Sequence, residues 1–160
     1  ELAHEGVRTR ADLKVPAVLA RLPRESQSNV IYAPARNIPL AVASAVAAEV
    51  KRRIVFRFAD ERSLRFGVTP VGSVRRQTPR VKDMDFLIVV PPEHEFRFDQ
   101  VLAAAALRPK RAGDRVEIAD TYAAGSRRRS FIIRDVPRRG RPRCYRSDLF
   151  LTTESEKPFA

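Results

Sequence analysis

Hydrophobic positions follow a helical spacing in the first third of the chain and mostly alternate after residue 54. Residues 9–22 share one apolar face, with Thr9 placed to cap a helix that Pro16 limits or kinks. Residues 39–53 begin with Pro, are rich in Ala and end in three basic residues, which predicts a second helix. Residues 23–35, rich in Pro, Ser, Gln and Asn, are predicted to be a loop.

Alternating and continuous apolar runs predict the strands. A hairpin is expected over residues 54–59 and 64–70 with a turn at 60–61, and residues 84–90 read as a buried strand. Further strands are predicted at 115–119, 130–134 and 144–151, a short helix from 72 and an Ala-rich helix at 98–107. This order of elements predicts an α+β domain whose sheet is covered by helices on one face.

Composition and charge narrow the classes of function. The 160 residues are 44% hydrophobic and 31% charged, typical of a globular domain. The net charge of +12 favours a nucleic-acid partner, although an arginine-rich genome would produce the same excess. No apolar run reaches the roughly 18 residues of a membrane span. The single cysteine excludes an internal disulfide, and the two separated histidines disfavour a His-based metal site. Both ends look truncated, so we expect a piece of a longer protein.

Three aspartates are candidate metal ligands. Asp83 and Asp85 are two residues apart at the start of a strand, so their carboxylates share one face. Asp148 lies within a later apolar strand, and if the two strands are neighbours it joins the pair. Three carboxylates can then hold two Mg²⁺ ions roughly 3.5–4 Å apart. A solvated strand end is the alternative for the first pair. Arg146 shares the face of Asp148. Its guanidinium either orients that carboxylate or forms an ordinary ion pair.

A candidate phosphate site precedes the first aspartates. Gly72 and Ser73 follow a strand and begin the short helix, and two arginines come directly after. Glycine permits close backbone approach to a ligand, the hydroxyl donates a hydrogen bond, and a guanidinium clamps phosphate through two donors. Because eleven residues separate Gly72 from Asp83, one hairpin would place this site beside the carboxylates.

Residues 71–76 (VGSVRR), followed by Asp83 and Asp85, resemble the nucleotidyltransferase signature of family X DNA polymerases, the family of DNA polymerase β. Residues 5–9 with 12–13, residues 38–39, residues 146–148 and residues 156–160 resemble other segments of the family's fingers and palm. The resemblance implies a helical fingers subdomain over 1–38 and a nucleotidyltransferase palm with a mixed sheet over 39–160. We expect the family's lyase domain and thumb to lie outside this chain.

The resemblance also implies roles for individual residues. Asp83, Asp85 and Asp148 would be catalytic and would bind two Mg²⁺, for which Mn²⁺ can substitute. Gly72, Ser73 and Arg76 would hold the triphosphate, and Lys82, where many members carry Gly, would add a charge there. Arg127, Arg128 and Arg129 are the predicted DNA contacts, because a cation near Arg129 touches the primer-template in the family.

The resemblance implies a DNA-directed DNA polymerase that adds a dNTP to a primer 3′ hydroxyl in short-gap, base excision repair. We expect a monomer acting on primer-template or gapped duplex, without a membrane. A nuclear location is expected, with a mitochondrion or a virus as alternatives. Two other hypotheses remain: a template-independent or RNA-tailing nucleotidyltransferase on the same palm, and a non-catalytic nucleic-acid-binding module.

Overall fold

The computed structural model describes residues 9, 11–58, 67–93, 116–137, 140–153 and 155. The predicted helix at 98–107, the turn at 60–61 and the resemblances at 5–8 and 156–160 lie outside the described residues. The helical elements are a 3₁₀ turn at Asp12–Lys14, α1 (Pro16–Leu19), α2 (Arg24–Tyr32), α3 (Leu40–Phe58) and α4 (Gly72–Arg75). The strands are β1 (Ile38–Pro39), β2 (Gly67–Val71), β3 (Arg80–Val81), β4 (Met84–Val90), β5 (Val116–Ala124), β6 (Arg128–Asp135) and β7 (Arg143–Thr153).

Among the described residues, five strands form a mixed sheet in the order β2-β4-β7-β6-β5. The central pair, β4 and β7, is parallel, and the other neighbours are antiparallel. β1 and β3 form a separate two-stranded ribbon, which the sequence pattern did not predict. The predicted α+β class with a mixed sheet is confirmed. No described helix has the length and apolarity needed to cross a membrane.

The two faces of the sheet differ because successive side chains of a strand point to opposite sides. Phe86 and Ile88 of β4 are fully buried, as are Tyr145 and Leu149 of β7. They belong to one apolar cluster with the buried face of α3, which contributes Ala43, Val46, Ala47 and Val50. Most alternate residues of both strands lie on the other face and are half-buried, among them Asp85, Arg146 and Asp148, while Val89 and Thr152 on that face are buried. The core therefore occupies the α3 side of the sheet and leaves the opposite side for chemistry.

The predicted loop at 23–35 is wrong, since α2 occupies most of it. Its polar residues have only moderate helix propensity, but tertiary contacts hold them. Ser28 is buried and donates a hydrogen bond to Asp120 of β5, and Arg24 pairs with the same carboxylate at 2.5 Å. The hydroxyl of Tyr32 donates to the carbonyl of Ala119 at 3.1 Å. What reads as a linker is therefore a helix docked on the edge strand of the sheet.

Two other helical predictions need correction. The single helix at 9–22 is divided at Val15, which is extended (φ −61°, ψ 126°), because a residue before proline is pushed out of the helical region. Thr9 does cap the first turn, where its hydroxyl accepts a hydrogen bond from the Asp12 amide at 3.2 Å. The predicted strand at 54–59 is wrong up to Phe58, because the backbone of α3 continues through it. The β propensity of this segment is overridden by continuation of a helix already formed.

Candidate active site

The central parallel pair brings two of the predicted carboxylates together. Asp85 on β4 is the register partner of Asp148 on β7. Both lie on the face opposite the core, because their neighbours Met84, Phe86 and Leu149 are buried on the other side. Asp83, two residues before Asp85 in the chain, directly precedes β4. Asp85 and Asp148 are therefore directly across from each other in the β4–β7 pair, and Asp83 lies just before the start of β4.

Gly72 brings the start of α4 into contact with this site. Val71 pairs with Asp85 across β2 and β4, so the next residue lies directly over the carboxylate. Gly72 has a φ of +59°, and a Cβ added there would lie 2.7 Å from Oδ2 of Asp85. Both the backbone conformation and the close approach thus require glycine. The segment between the glycine and the aspartates contains α4 and β3, and it joins β2 to β4.

The carboxyl of Asp85 is in an environment that disfavours its charge. Burial raises its pKa above the ordinary value, and the carboxylates of Asp148 and Asp83 raise the pKa further. Arg128 and Arg76 act in the opposite direction without cancelling the effect. A bound cation would favour the ionised form, because opposite charge is what lowers a carboxyl pKa.

Asp148 is held by two residues of β6. Ser130, its register partner, donates a hydrogen bond to Oδ1 of Asp148. The guanidinium of Arg128 pairs with Oδ2 at 2.8 Å. Arg128 also lies over the ring of Phe150 at 5.4 Å from its centroid. Asp148 is therefore oriented toward β6 by a hydroxyl and a guanidinium.

Arg146 shares the face of Asp148, but its guanidinium contacts other groups. It pairs with Glu25 of α2 at 2.6 Å and lies 5.8 Å from the centroid of the Tyr122 ring. Its Nε lies 3.8 Å from Oδ1 of Asp83, which is beyond hydrogen-bonding distance. The hypothesis that Arg146 orients Asp148 is thus corrected: Arg128 and Ser130 contact that carboxylate, and Arg146 lies between Glu25 and Asp83.

The donor set suits a hard cation, although it is not gathered as a cluster. Oδ1 of Asp83 is buried and accepts no hydrogen bond from the described residues, although Nε of Arg146 lies 3.8 Å away. Carboxylate oxygens are the protein ligands that Mg²⁺ prefers. In the part of the chain that the structure describes, however, no three His, Cys, Asp or Glu side chains converge closely enough to hold an ion. The residue types fit Mg²⁺.

The predicted phosphate and DNA contacts are distributed around this site. Ser73 is half-buried in α4, while Arg76 and Lys82 are exposed on either side of the β3 ribbon. Arg76 is close enough to lower the pKa of Asp85. Arg128 and Arg129 are consecutive on β6, so their side chains leave opposite faces of the strand. Arg127 precedes the strand and is exposed. All these assignments stay predictions, and the three arginines do not form one surface.

Sequence reasoning missed several residues of this face. An open cleft of about 300 Å³ lies beside the carboxylates, and its lining includes Glu25, Tyr122, Arg128, Ser130 and Arg146. The sequence does not indicate Glu25, because the polar composition around it predicts a loop and not α2. Ser130 was missed because a serine in an apolar strand has no local signal; only the register of β6 against β7 places it opposite Asp148.

Comparisons with known proteins were made for the whole chain. No protein-family model matches it. No curated protein sequence matches it either. The crystal structure of Leishmania infantum polymerase β in a ternary P/T complex is similar to this chain, with a TM-score of 0.69 and 16% sequence identity. The similarity covers 95% of this chain and 57% of that one. The chain spans 57% of the length of that polymerase and has a polymerase β-like fold.

Proposed function

We propose that this chain carries the catalytic palm of a DNA-directed DNA polymerase that transfers a nucleotide from a dNTP to a primer 3′ hydroxyl. One observation carries the proposal: the register of β4 against β7 pairs Asp85 with Asp148, while Gly72 places the start of α4 against Asp85. Side-by-side carboxylates next to a close backbone approach are what a metal-bound triphosphate requires.

Each residue has a distinct part in this proposal. Asp83 and Asp85 would hold both Mg²⁺ ions, or Mn²⁺ in their place, and Asp148 would hold the one nearer the primer terminus. The ions, when bound, would lower the pKa of the attacking hydroxyl and offset charge on the leaving oxygen. Ser73 and Arg76 would bind the outer phosphates of the nucleotide, with Lys82 adding positive charge. Gly72 would keep the backbone close to the phosphates.

The proposed macromolecular partner is gapped or primed duplex DNA. The net charge of +12 favours a polyanion, and the similar Leishmania infantum protein is described in a ternary P/T complex. Arg127 and Arg128 would contact the phosphate backbone, which supplies affinity without reading sequence. Arg129, on the opposite face of β6, would contact the DNA only if the duplex wraps past the edge of that strand. A role in short-gap base excision repair belongs to the same proposal.

The test is insertion of one labelled dNTP into a duplex with a one-nucleotide gap, in Mg²⁺, by the full-length protein. The matched variant is Asp148→Asn, which keeps the size of the side chain and removes its charge. We expect insertion only of the nucleotide complementary to the template. The variant should lose at least about 100-fold in rate, since removal of a charge that stabilises the transition state costs about 3 kcal/mol or more.

The other results separate the alternatives. Insertion that ignores the template base would identify a tailing nucleotidyltransferase instead. DNA binding that is equal with and without Mg²⁺, and without insertion by either protein, would identify a non-catalytic binding module. Normal insertion by Asp148→Asn would refute the assignment of the third carboxylate while leaving the polymerase activity in place.

A further inference from the structure

We propose that Ser147 is a positioning residue, whose hydroxyl fixes β4 against β7 beside the candidate metal ligands. This hydroxyl donates a hydrogen bond to the carbonyl of Met84, the residue between Asp83 and Asp85. Ser147 itself directly precedes Asp148 in the chain. The inference rests on the proposed function, because it concerns the carboxylates that would bind the metal ions. Ser147 would act through those carboxylates and would touch neither a metal ion nor a substrate.

The first step of the argument is the burial of this hydrogen bond. Ser147 is 1% exposed, and Met84 is fully buried. Both side chains lie on the core side of the sheet, because Phe86 and Leu149, two residues further along each strand, belong to the apolar cluster. A buried hydroxyl or carbonyl is costly when it has no partner. The two groups therefore satisfy each other, and removal of the hydroxyl leaves the carbonyl without this donor.

The second step is the position of this bond in the sheet. Met84 and Ser147 are register partners at the end of the β4–β7 pairing, and the next pair is Asp85 with Asp148. The ends of paired strands open more readily than their middles, because fewer neighbouring contacts restrain them. The side-chain bond therefore adds a restraint where the backbone pairing stops, one residue away from both carboxylates.

The third step is the repulsion between the carboxylates. Asp85 and Asp148 are directly opposite each other, and like charges in that arrangement destabilise a strand pair. In the absence of a cation, this repulsion acts to separate the two strands on their polar face. The hydrogen bond of Ser147 opposes the separation from the core face. The spacing of the two carboxylates would thus be set before a metal ion binds, so that binding requires less reorganisation.

The experiment measures Mn²⁺ binding as well as nucleotide insertion, in the full-length protein. Free Mn²⁺ is followed by electron paramagnetic resonance, and Asp148→Asn identifies the part of the binding that requires Asp148. The test variant is Ser147→Ala, which removes only the hydroxyl. The matched control is Thr152→Val on the same strand, which removes a buried hydroxyl that donates to the carbonyl of Thr153 at 3.4 Å. Urea denaturation of both variants measures their stability.

Ser147→Ala should bind Mn²⁺ at the Asp148-dependent site about fivefold more weakly than the wild type, the factor that corresponds to one hydrogen bond. At saturating Mg²⁺ its kcat for insertion should fall about tenfold, because a small displacement of the reacting groups slows the chemical step. Its KM for the dNTP should change by less than about twofold. Thr152→Val should keep the Mn²⁺ affinity and the kcat of the wild type. Both variants should unfold at similar urea concentrations, because each loses one hydrogen bond.

Equal Mn²⁺ affinity of Ser147→Ala and the wild type would overturn the inference. Equal weakening in Ser147→Ala and Thr152→Val would also overturn it, because the effect would then follow from lost stability alone. The absence of any Asp148-dependent Mn²⁺ binding by the wild type would refute the metal site and the inference with it. If the wild type inserts no nucleotide while Ser147→Ala still weakens Asp148-dependent Mn²⁺ binding, the polymerase proposal fails and the positioning role of Ser147 is supported.

Discussion

The two faces of the five-stranded sheet are built from the same strands but differ in burial and in polarity. On the α3 side, Phe86 and Tyr145 are almost inaccessible to solvent and belong to one apolar cluster. On the opposite side, Asp85, Arg146 and Asp148 are half-buried. Asp148 forms an ion pair with Arg128, and Arg146 forms one with Glu25. Because side chains alternate between the two faces, successive residues of one strand serve either the apolar core or the polar candidate site. Substitutions one residue apart should therefore have opposite effects on folding and on function.

The largest effect is expected from the core face. Phe86→Ala should lower the free energy of unfolding by about 3–5 kcal/mol, because it leaves a cavity beneath α3. Asp148→Asn, on the other face, should change it by less than about 1 kcal/mol. Urea denaturation followed by circular dichroism measures both. Similar losses for the two variants would contradict the division of labour between the faces.

A substitution at Gly72 tests whether close packing against Asp85 on the polar face also contributes to stability. Gly72→Ala should cost about 2 kcal/mol of stability or more, because alanine resists a φ of +59° and its Cβ would meet Oδ2 of Asp85. Nucleotide insertion should fall as well, since Asp85 must move. Gly67→Ala is the matched control, because a Cβ there meets nothing within 4 Å. The pair of variants is compared by thermal denaturation, and equal behaviour would show that the close approach at Gly72 is unimportant.

Asp120 tests the docking of α2 on the edge of the sheet. Asp120→Ala removes the acceptor of buried Ser28 and the partner of Arg24, and should cost about 1–2 kcal/mol. Hydrogen exchange of the α2 amides should become faster than that of α3. Glu117→Gln, which changes a more exposed ion pair on the same strand, should leave α2 exchange unchanged. Uniform exchange across α2 and α3 in Asp120→Ala would mean that α2 does not depend on this contact.

The smallest effect is a pH dependence at Asp85. Because its folded-state pKa is raised, the folded protein holds this proton more tightly than the unfolded chain does. The stabilisation from the protonated form is complete below the ordinary carboxyl pKa, near pH 4, and is lost as pH rises through the raised value. In metal-free buffer Asp85→Asn should thus be slightly more stable than the wild type at pH 7, by less than about 1 kcal/mol. The difference should disappear below about pH 4. A difference that is independent of pH would exclude the charge of Asp85 as its cause.

Sequence reasoning succeeded where a local pattern had one structural solution. The apolar run at 84–90 coincides with β4, and the glycine at 72 begins a helix directly after a strand. It failed where polar or ambiguous residues take their structure from distant partners. Ser28 and Tyr32 are helical because β5 supplies their acceptors, and the backbone at 54–58 stays helical despite its β-branched and aromatic residues.

The sequence by itself determined which residues share a face, because the alternation of a strand is a local property that sets Asp83 with Asp85 and Arg146 with Asp148. Only the tertiary structure decided that β4 and β7 are parallel neighbours and that Asp148 meets Ser130 and Arg128 rather than Arg146. The parallel pairing of β4 with β7 joins distant parts of the chain, as in the hydrogen bond from Ser147 to the carbonyl of Met84, which are 63 positions apart. No local spacing encodes them.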